Sequence, residues 1–212
     1  MKKNYSNKRK KNLKNFCSKN YYILKFIIPF ILSFSIFSAS ANENLTAKNQ
    51  IDNLIKDLII YHKENINSKD RIKKLDLLKY VNLDFMAKAT TGNYWKNANK
   101  NNKVKYKELL LKKIHDTIDF HTKKLNEYKY IYKKTVKRGK KLIYVKGILK
   151  NNEGEKIDIT WKMYSKDLSI LDLEIEKISL IKTQKSETMS LLRKNKGNFQ
   201  EFIEIFNKKS IR

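Results

Sequence analysis

Forty-eight Lys/Arg against 21 Asp/Glu give this 212-residue chain a formal charge of +27, a balance that suggests nucleic acid or anionic lipid as a partner. Its only cysteine, Cys17, and its only proline, Pro29, both lie near the start, so the remainder has no disulfide framework and must be held by packing alone.

Residues 1–41 carry nine Lys/Arg and no acidic side chain, with an apolar stretch from Phe26 to Phe37 and then Ala39-Ser40-Ala41. That order reads as a secretory signal cut after Ala41, which places the working protein outside the cytoplasm. The alternative is an uncleaved inner-membrane anchor, because Phe26 to Ala41 holds no charge. That run is shorter than the ~20 residues a spanning helix needs, and Pro29 and the serines weaken it further. Cys17 precedes the apolar core, which argues against lipid attachment there. Cleavage leaves residues 42–212, 171 residues at +18, one domain by length. Nucleic acid is scarce outside the cytoplasm, so an anionic membrane surface is the better partner. The rival reading is compositional: lysines and asparagines are spread through the whole chain, as in the product of an AT-rich genome.

The front of the exported part is helical, with Ile51, Leu54, Ile55, Leu58 and Ile59 at helical spacing. Ser68 is a candidate cap for a second helix carrying Ile72, Leu75 and Leu78. A short element from Leu83 to Thr91 starts after Asn82 and stops at Gly92. A long helix is then expected from about Asn101 to Leu125, with Val104, Leu110, Leu111, Ile114, Ile118 and Leu125 on its buried face.

After Asn126 the period changes from that of a helix to that of a strand. Tyr128, Tyr130 and Tyr132 alternate with Lys129, Ile131 and Lys133. Ile143 and Val145 share a face in 142–150. Ile157, Ile159, Trp161 and Met163 alternate with Asp158, Thr160 and Lys162, and Leu171, Leu173 and Ile175 with Asp172, Glu174 and Glu176. Turn residues separate the runs at Arg138-Gly139, Asn151 to Gly154 and Ser165 to Asp167. This predicts an antiparallel meander covered on one side. Two helices follow, Lys182–Lys194 and Asn198–Lys208, the latter presenting Phe199, Phe202, Ile203 and Phe206. Helices, a sheet, then helices make the fold class α+β.

Catalytic constellations are hard to find. Of the three histidines, His62 sits at the polar end of the first helix, and His115 and His121 are too far round one helix to share a ligand. His115 and Asp119 have the spacing of a surface pair on a lysine-rich helix. No paired His/Cys spacing suggests zinc, and there is neither a glycine-rich phosphate loop nor a Gly-x-Ser-x-Gly elbow. What stands out is apolar surplus, which either fills a core or lines a pocket. Gly147, on the face of Ile143 and Val145, leaves a gap that means a bulge or room for a ligand.

The run Asp172-Leu173-Glu174-Ile175-Glu176-Lys177-Ile178-Ser179-Leu180-Ile181 resembles the strand signature of the MlaC/toluene-tolerance family, exported phospholipid-binding proteins of Gram-negative lipid transport. That signature reads Asp-Val-x-Ile-x-Gly-Val-Ser-Leu-Val, followed by a helix opening Asn-Tyr-Arg. Leu83-Asp84-Phe85-Met86-Ala87 and Gly92-Asn93-Tyr94-Trp95 are similar to the family's Asp-Phe … Gly-x-x-Trp segment. The order of elements agrees over nearly all of the exported part. The chain departs from the pattern at Leu168 (usually Trp), Lys177 (usually Gly), Thr183-Gln184-Lys185 (usually Asn-Tyr-Arg) and Thr188 or Met189 (usually Phe).

The resemblance implies a helix-covered curved antiparallel sheet, cone-like as in nuclear transport factor and ketosteroid isomerase proteins, with extra N- and C-terminal helices. It implies a cavity for phospholipid acyl tails, with the lipid as cargo and no cofactor. It further implies transfer across the periplasm between an outer-membrane lipoprotein complex and an inner-membrane ABC transporter with an MCE-type subunit. On this reading the tails lie against Tyr130, Tyr132, Ile143, Val145, Ile159, Trp161, Met163, Leu173 and Ile175 of the sheet. The opposing helices supply Ile114, Ile118, Met189, Leu192, Phe202 and Phe206. One rival is an enzyme on the same scaffold, which needs a carboxylate on the apolar face, whereas Asp158, Asp172 and Glu174 alternate outward. The other is a basic, non-catalytic envelope adaptor with a filled core.

Overall fold

A computed structural model describes residues 44–61, 63, 75–125 and 127–209. The chain divides into two units, Met1–Leu45 and Thr46–Arg212. The segment read as a leader lies outside the described residues, as do His62, Ser68, Ile72 and the side chains of Asp119, His121 and Leu125. Among the described residues no helix is long and apolar enough to cross a membrane.

In the second unit, helix α1 (residues 46–61) buries Ala47, Ile51 and Leu54, with Ile55 and Leu58 half-buried and Ile59 exposed. The second helix expected from Leu75 and Leu78 gives way, among the described residues, to a single 3-10 turn, Leu77–Lys79. Leu75 and Leu77 point inward and Leu78 is exposed. The chain leaves helical geometry here because its backbone joins the sheet: Ile170 N–H donates to Tyr80, and Asn82 N–H donates to Ile170. Helix α2 (Leu83–Thr91) is bounded as its sequence predicts. The Asn82 side chain accepts the Phe85 N–H at 2.9 Å, and Gly92 closes the helix at φ 57°, a conformation that favours glycine.

After the short α3 (Tyr94–Asn97) comes the long α4 (Lys100–Leu125). Its buried stripe runs through Asn102, Tyr106 and Leu110, and the expected Val104 is exposed. Val104 lies two residues from Tyr106, about 200° round the helix, so both cannot face the core. Leu111, Ile114 and Ile118 are half-buried against it.

The sheet is an open antiparallel meander in the order β1 (Tyr128–Arg138), β2 (Leu142–Asn151), β3 (Lys156–Tyr164), β4 (Ile170–Ile175) and β5 (Ile178–Ser179). The β2–β3 ladder runs without interruption from Leu142↔Tyr164 to Lys150↔Lys156. The flanking strands each carry one extra residue, Lys133 in β1 and Leu171 in β4. Such bulges bend a strand and sharpen its twist, which curves the sheet. They also correct the simple alternation read for β4: Ile170, not Leu171, lies opposite Met163. Glu176 falls in the turn at positive φ.

Helices α5 (Leu180–Lys194) and α6 (Phe199–Lys209) close the chain. Tyr106 is the centre of an aromatic cluster, its ring 5.4 Å from Phe202, 5.5 Å from Phe206 and 6.0 Å from Phe199. Its hydroxyl meets Thr90 Oγ1 at 2.8 Å and Thr188 Oγ1 at 3.4 Å, so a buried polar group is satisfied within the core. Burial raises its pKa, with the two threonines opposing that shift.

Candidate functional site

The strand register sorts the helix-facing side of the sheet into rows. One row holds Ile143, Met163 and Ile170, and the next holds Val145, Trp161 and Leu173. A third holds Tyr132, Gly147, Ile159 and Ile175. The last holds Tyr130, Leu149 and Ile157. The first and last rows differ in burial. Ile143, Met163 and Ile170 are sealed, whereas Tyr130, Leu149 and Ile157 are all half-exposed.

The candidate lining residues therefore divide into two groups. Ile143, Val145, Met163, Leu192, Phe202 and Phe206 are fully buried in the common core, and Ile159 is buried as well. Tyr130, Tyr132, Trp161, Ile114 and Ile118 are half-buried and pack against that core. Leu173 and Met189 are half-buried, and Ile175 is 36% exposed at the margin. Met189 sits beside the C-terminal end of α2, its sulfur 3.6 Å from where a Cβ on Gly92 would stand.

Gly147 explains itself through Tyr130. A Cβ at that position would lie 2.5 to 2.7 Å from the Tyr130 ring and hydroxyl, so the gap read from the sequence is occupied by a ring that crosses the strand. The ring carries its hydroxyl toward β3, where Trp161 stands. Both the Tyr130 hydroxyl and the Trp161 Nε1 are buried atoms without a hydrogen-bond partner among the described residues. Burial pushes the Tyr130 phenol up to about 12, the nearby Trp161 N–H opposes that shift, and the Asp52 carboxylate adds to it. The two side chains are thus neighbours that do not meet in hydrogen-bond geometry.

Helix α1 supplies charged neighbours that sequence reading did not single out. Lys48 pairs with Asp52 one turn along the helix, and its ammonium lies 5.5 Å from the centre of the Tyr132 ring. The sequence signal was available only as an i,i+4 Lys/Asp pair, which marks a helix surface and nothing more.

The acidic residues of β3 and β4 face away from these rows. Asp158 and Glu174 lie on the opposite face by register, and so does Asp172, although Asp172 is buried. Its carboxylate accepts the Ser179 hydroxyl at 2.7 Å and the Ile181 N–H at 3.1 Å. The Lys162 ammonium donates to it at 3.1 Å and also pairs with Glu174. Ser179 in turn accepts the Lys182 N–H at 3.0 Å as the N-cap of α5. A carboxylate and a hydroxyl at a helix N-terminus satisfy orphan donors and favour the helix dipole. Burial works to lower the Lys162 pKa, and Glu174 and Asp172 outweigh it, leaving the ammonium above the ordinary lysine value. Asp172 and Ser179, the fixed points of the motif noted in the sequence, anchor α5 to the sheet.

Comparison with solved structures places the fold. It matches that of a phospholipid-binding protein from Ralstonia solanacearum, solved in complex with a phospholipid. The TM-score is 0.61 at 14% identity, over 78% of this chain and 99% of that one. The MlaC protein family matches residues 46–208, and the chain belongs to that family. No curated protein matches it.

Proposed function

We propose that this chain is a periplasmic phospholipid carrier, exported by the leader read in residues 1–41 and working as residues 42–212. The observation that carries this reading is the half-open apolar end of the sheet, where Tyr130, Tyr132, Trp161, Leu173 and Ile175 stand partly uncovered. The family and the lipid-bound fold relative support it. Ile114 and Ile118 on α4 complete the lining from the helix side.

The energetics suit a carrier rather than an enzyme. Each buried CH₂ gains roughly 0.8 kcal/mol, so a tail of about 12 gains roughly 10 kcal/mol on leaving water. A bilayer offers the same gain, which makes transfer from membrane to pocket nearly neutral. Direction then comes from the partners: an outer-membrane lipoprotein complex at one end and an MCE-type subunit of an inner-membrane ABC transporter at the other. The basic surface assists docking on anionic membrane, so association with anionic liposomes weakens as salt shortens the Debye length below ~10 Å.

Native purification followed by lipid extraction and mass spectrometry tests the proposal. Phospholipid is expected at a fixed ratio to protein. A lipid-free preparation that also takes nothing from liposomes defeats it.

A further inference from the structure

We infer that Tyr130 and Trp161 form a two-donor clasp for a neutral acceptor oxygen, the ester carbonyl of a glycerolipid. Resting on the carrier reading above, the inference adds what that reading leaves open: how a lipid is held at a fixed depth in an otherwise greasy surface.

The two atoms belong to different strands and are brought together by the register. Trp161 lies in the row next to Gly147, and the absence of a side chain at Gly147 is what lets the Tyr130 ring cross β2 toward it. Both polar atoms are buried, and among the described residues neither has a partner in hydrogen-bond geometry. An unmet buried donor carries a desolvation penalty, and buried polar groups in native proteins are as a rule satisfied. An indole N–H donates only, and a phenol donates readily. The phenol oxygen could itself accept the indole N–H, but the two do not meet in that geometry, and an oxygen acceptor from outside satisfies both donors.

The surroundings choose which oxygen. The ionisable group with the clearest hold on Tyr130 is the Asp52 carboxylate, which disfavours negative charge at the phenol. Lys48, a cation near this corner, is engaged by Asp52 and by the face of Tyr132. A phosphate or a free carboxylate would arrive as an anion beside Asp52, whose neighbouring Lys48 is already engaged. A carbonyl oxygen brings acceptor capacity without charge. In a phospholipid that group sits at the junction of tail and head, so the clasp sets how far the tails run along the half-open part of the sheet.

The test compares two phosphatidylethanolamines with the same head group and the same sixteen-carbon chains, one diacyl and one dialkyl ether, in competition for the purified protein. The ether lacks the carbonyl. Wild type is expected to prefer the ester by about tenfold, the order of two neutral hydrogen bonds. Tyr130→Phe and Trp161→Phe should each erode that preference while leaving ether affinity nearly unchanged. Equal, tight binding of both lipids by the wild type overturns the clasp and leaves the carrier intact. Binding of neither lipid overturns the carrier itself, and the clasp with it. The wild-type contrast needs no variant to fold.

Discussion

The two ends of the sheet's helix-facing side are built from the same strands yet behave differently. At one end Ile143, Met163 and Ile170 join Leu192, Phe202 and Phe206 in the core, and every one of these side chains is enclosed. At the other, Tyr130, Tyr132, Trp161 and Leu173 are only half covered, and two buried polar atoms lack partners. The closed end is filled because α5 and α6 carry their largest apolar residues over it, with Tyr106 binding the phenylalanines together. The open end is faced by the polar flank of α1. Stability is therefore concentrated at one end, and the uncovered apolar surface on which the proposed site rests lies at the other.

The contrast is most directly broken by truncation. Phe202→Ala should cost about 3–5 kcal/mol in denaturant unfolding, whereas Ile175→Ala at the exposed margin should cost less than about 1 kcal/mol. Similar losses at both sites would erase the distinction. Next in size is Asp172→Ala, expected to cost about 2–3 kcal/mol because the Ser179 hydroxyl and the Ile181 N–H lose their acceptor at the start of α5, while Lys162 keeps Glu174; Ser179→Ala should cost about 1 kcal/mol. Both can be read from the same unfolding curves, with lipid binding retained by whatever stays folded.

Gly147→Ala sharpens the comparison further. The new methyl collides with the Tyr130 ring, at about 1–3 kcal/mol, and most of that cost should vanish in a Tyr130→Leu background, since contacting residues couple. Additive costs would mean that the ring can swing away freely. The smallest effect is on pH dependence. The Tyr130 phenol is raised to about 12, so its contribution is whole below the ordinary tyrosine value near 10 and fades as pH climbs through 12. Ultraviolet titration should show several late-ionising phenols, Tyr80 and Tyr106 among them, and one fewer in Tyr130→Phe.

Local signals made part of this fold legible in the sequence. Asn82 and Gly92 delimit α2 because a capping side chain and a positive φ are chemical requirements of single residues. The meander is legible because its turns are written in Gly, Asn and Asp. The bulges are not: one extra residue leaves no compositional trace, and alternation read through Lys133 or Leu171 goes out of step. Tyr106 was missed because a lysine-rich helix offers several apolar stripes, and only packing against α6 selects among them. The same limit applies to the site. Sequence named the apolar rows, but that Tyr130 fills the gap over Gly147, or that Lys48 and Asp52 approach from α1, depends on contacts far apart in the chain. The departure at Lys177 has a plain backbone reading. Glu176 and Lys177 both take positive φ, 49° and 66°, as a two-residue hairpin turn requires, and glycine adopts that conformation without the cost of roughly 1 kcal/mol that lysine bears.

Lys133 allows form to be separated from lining. It stands between two stretches of β1 whose partners on β2 are already fixed, Tyr132 with Gly147 and Lys134 with Lys146. Excising it keeps each flanking residue opposite its present neighbour while straightening the border of the sheet. A protein so flattened keeps nearly the same chemical inventory on a flatter surface, and on the carrier reading the lengths of hydrocarbon it accepts would measure how much selectivity resides in curvature alone.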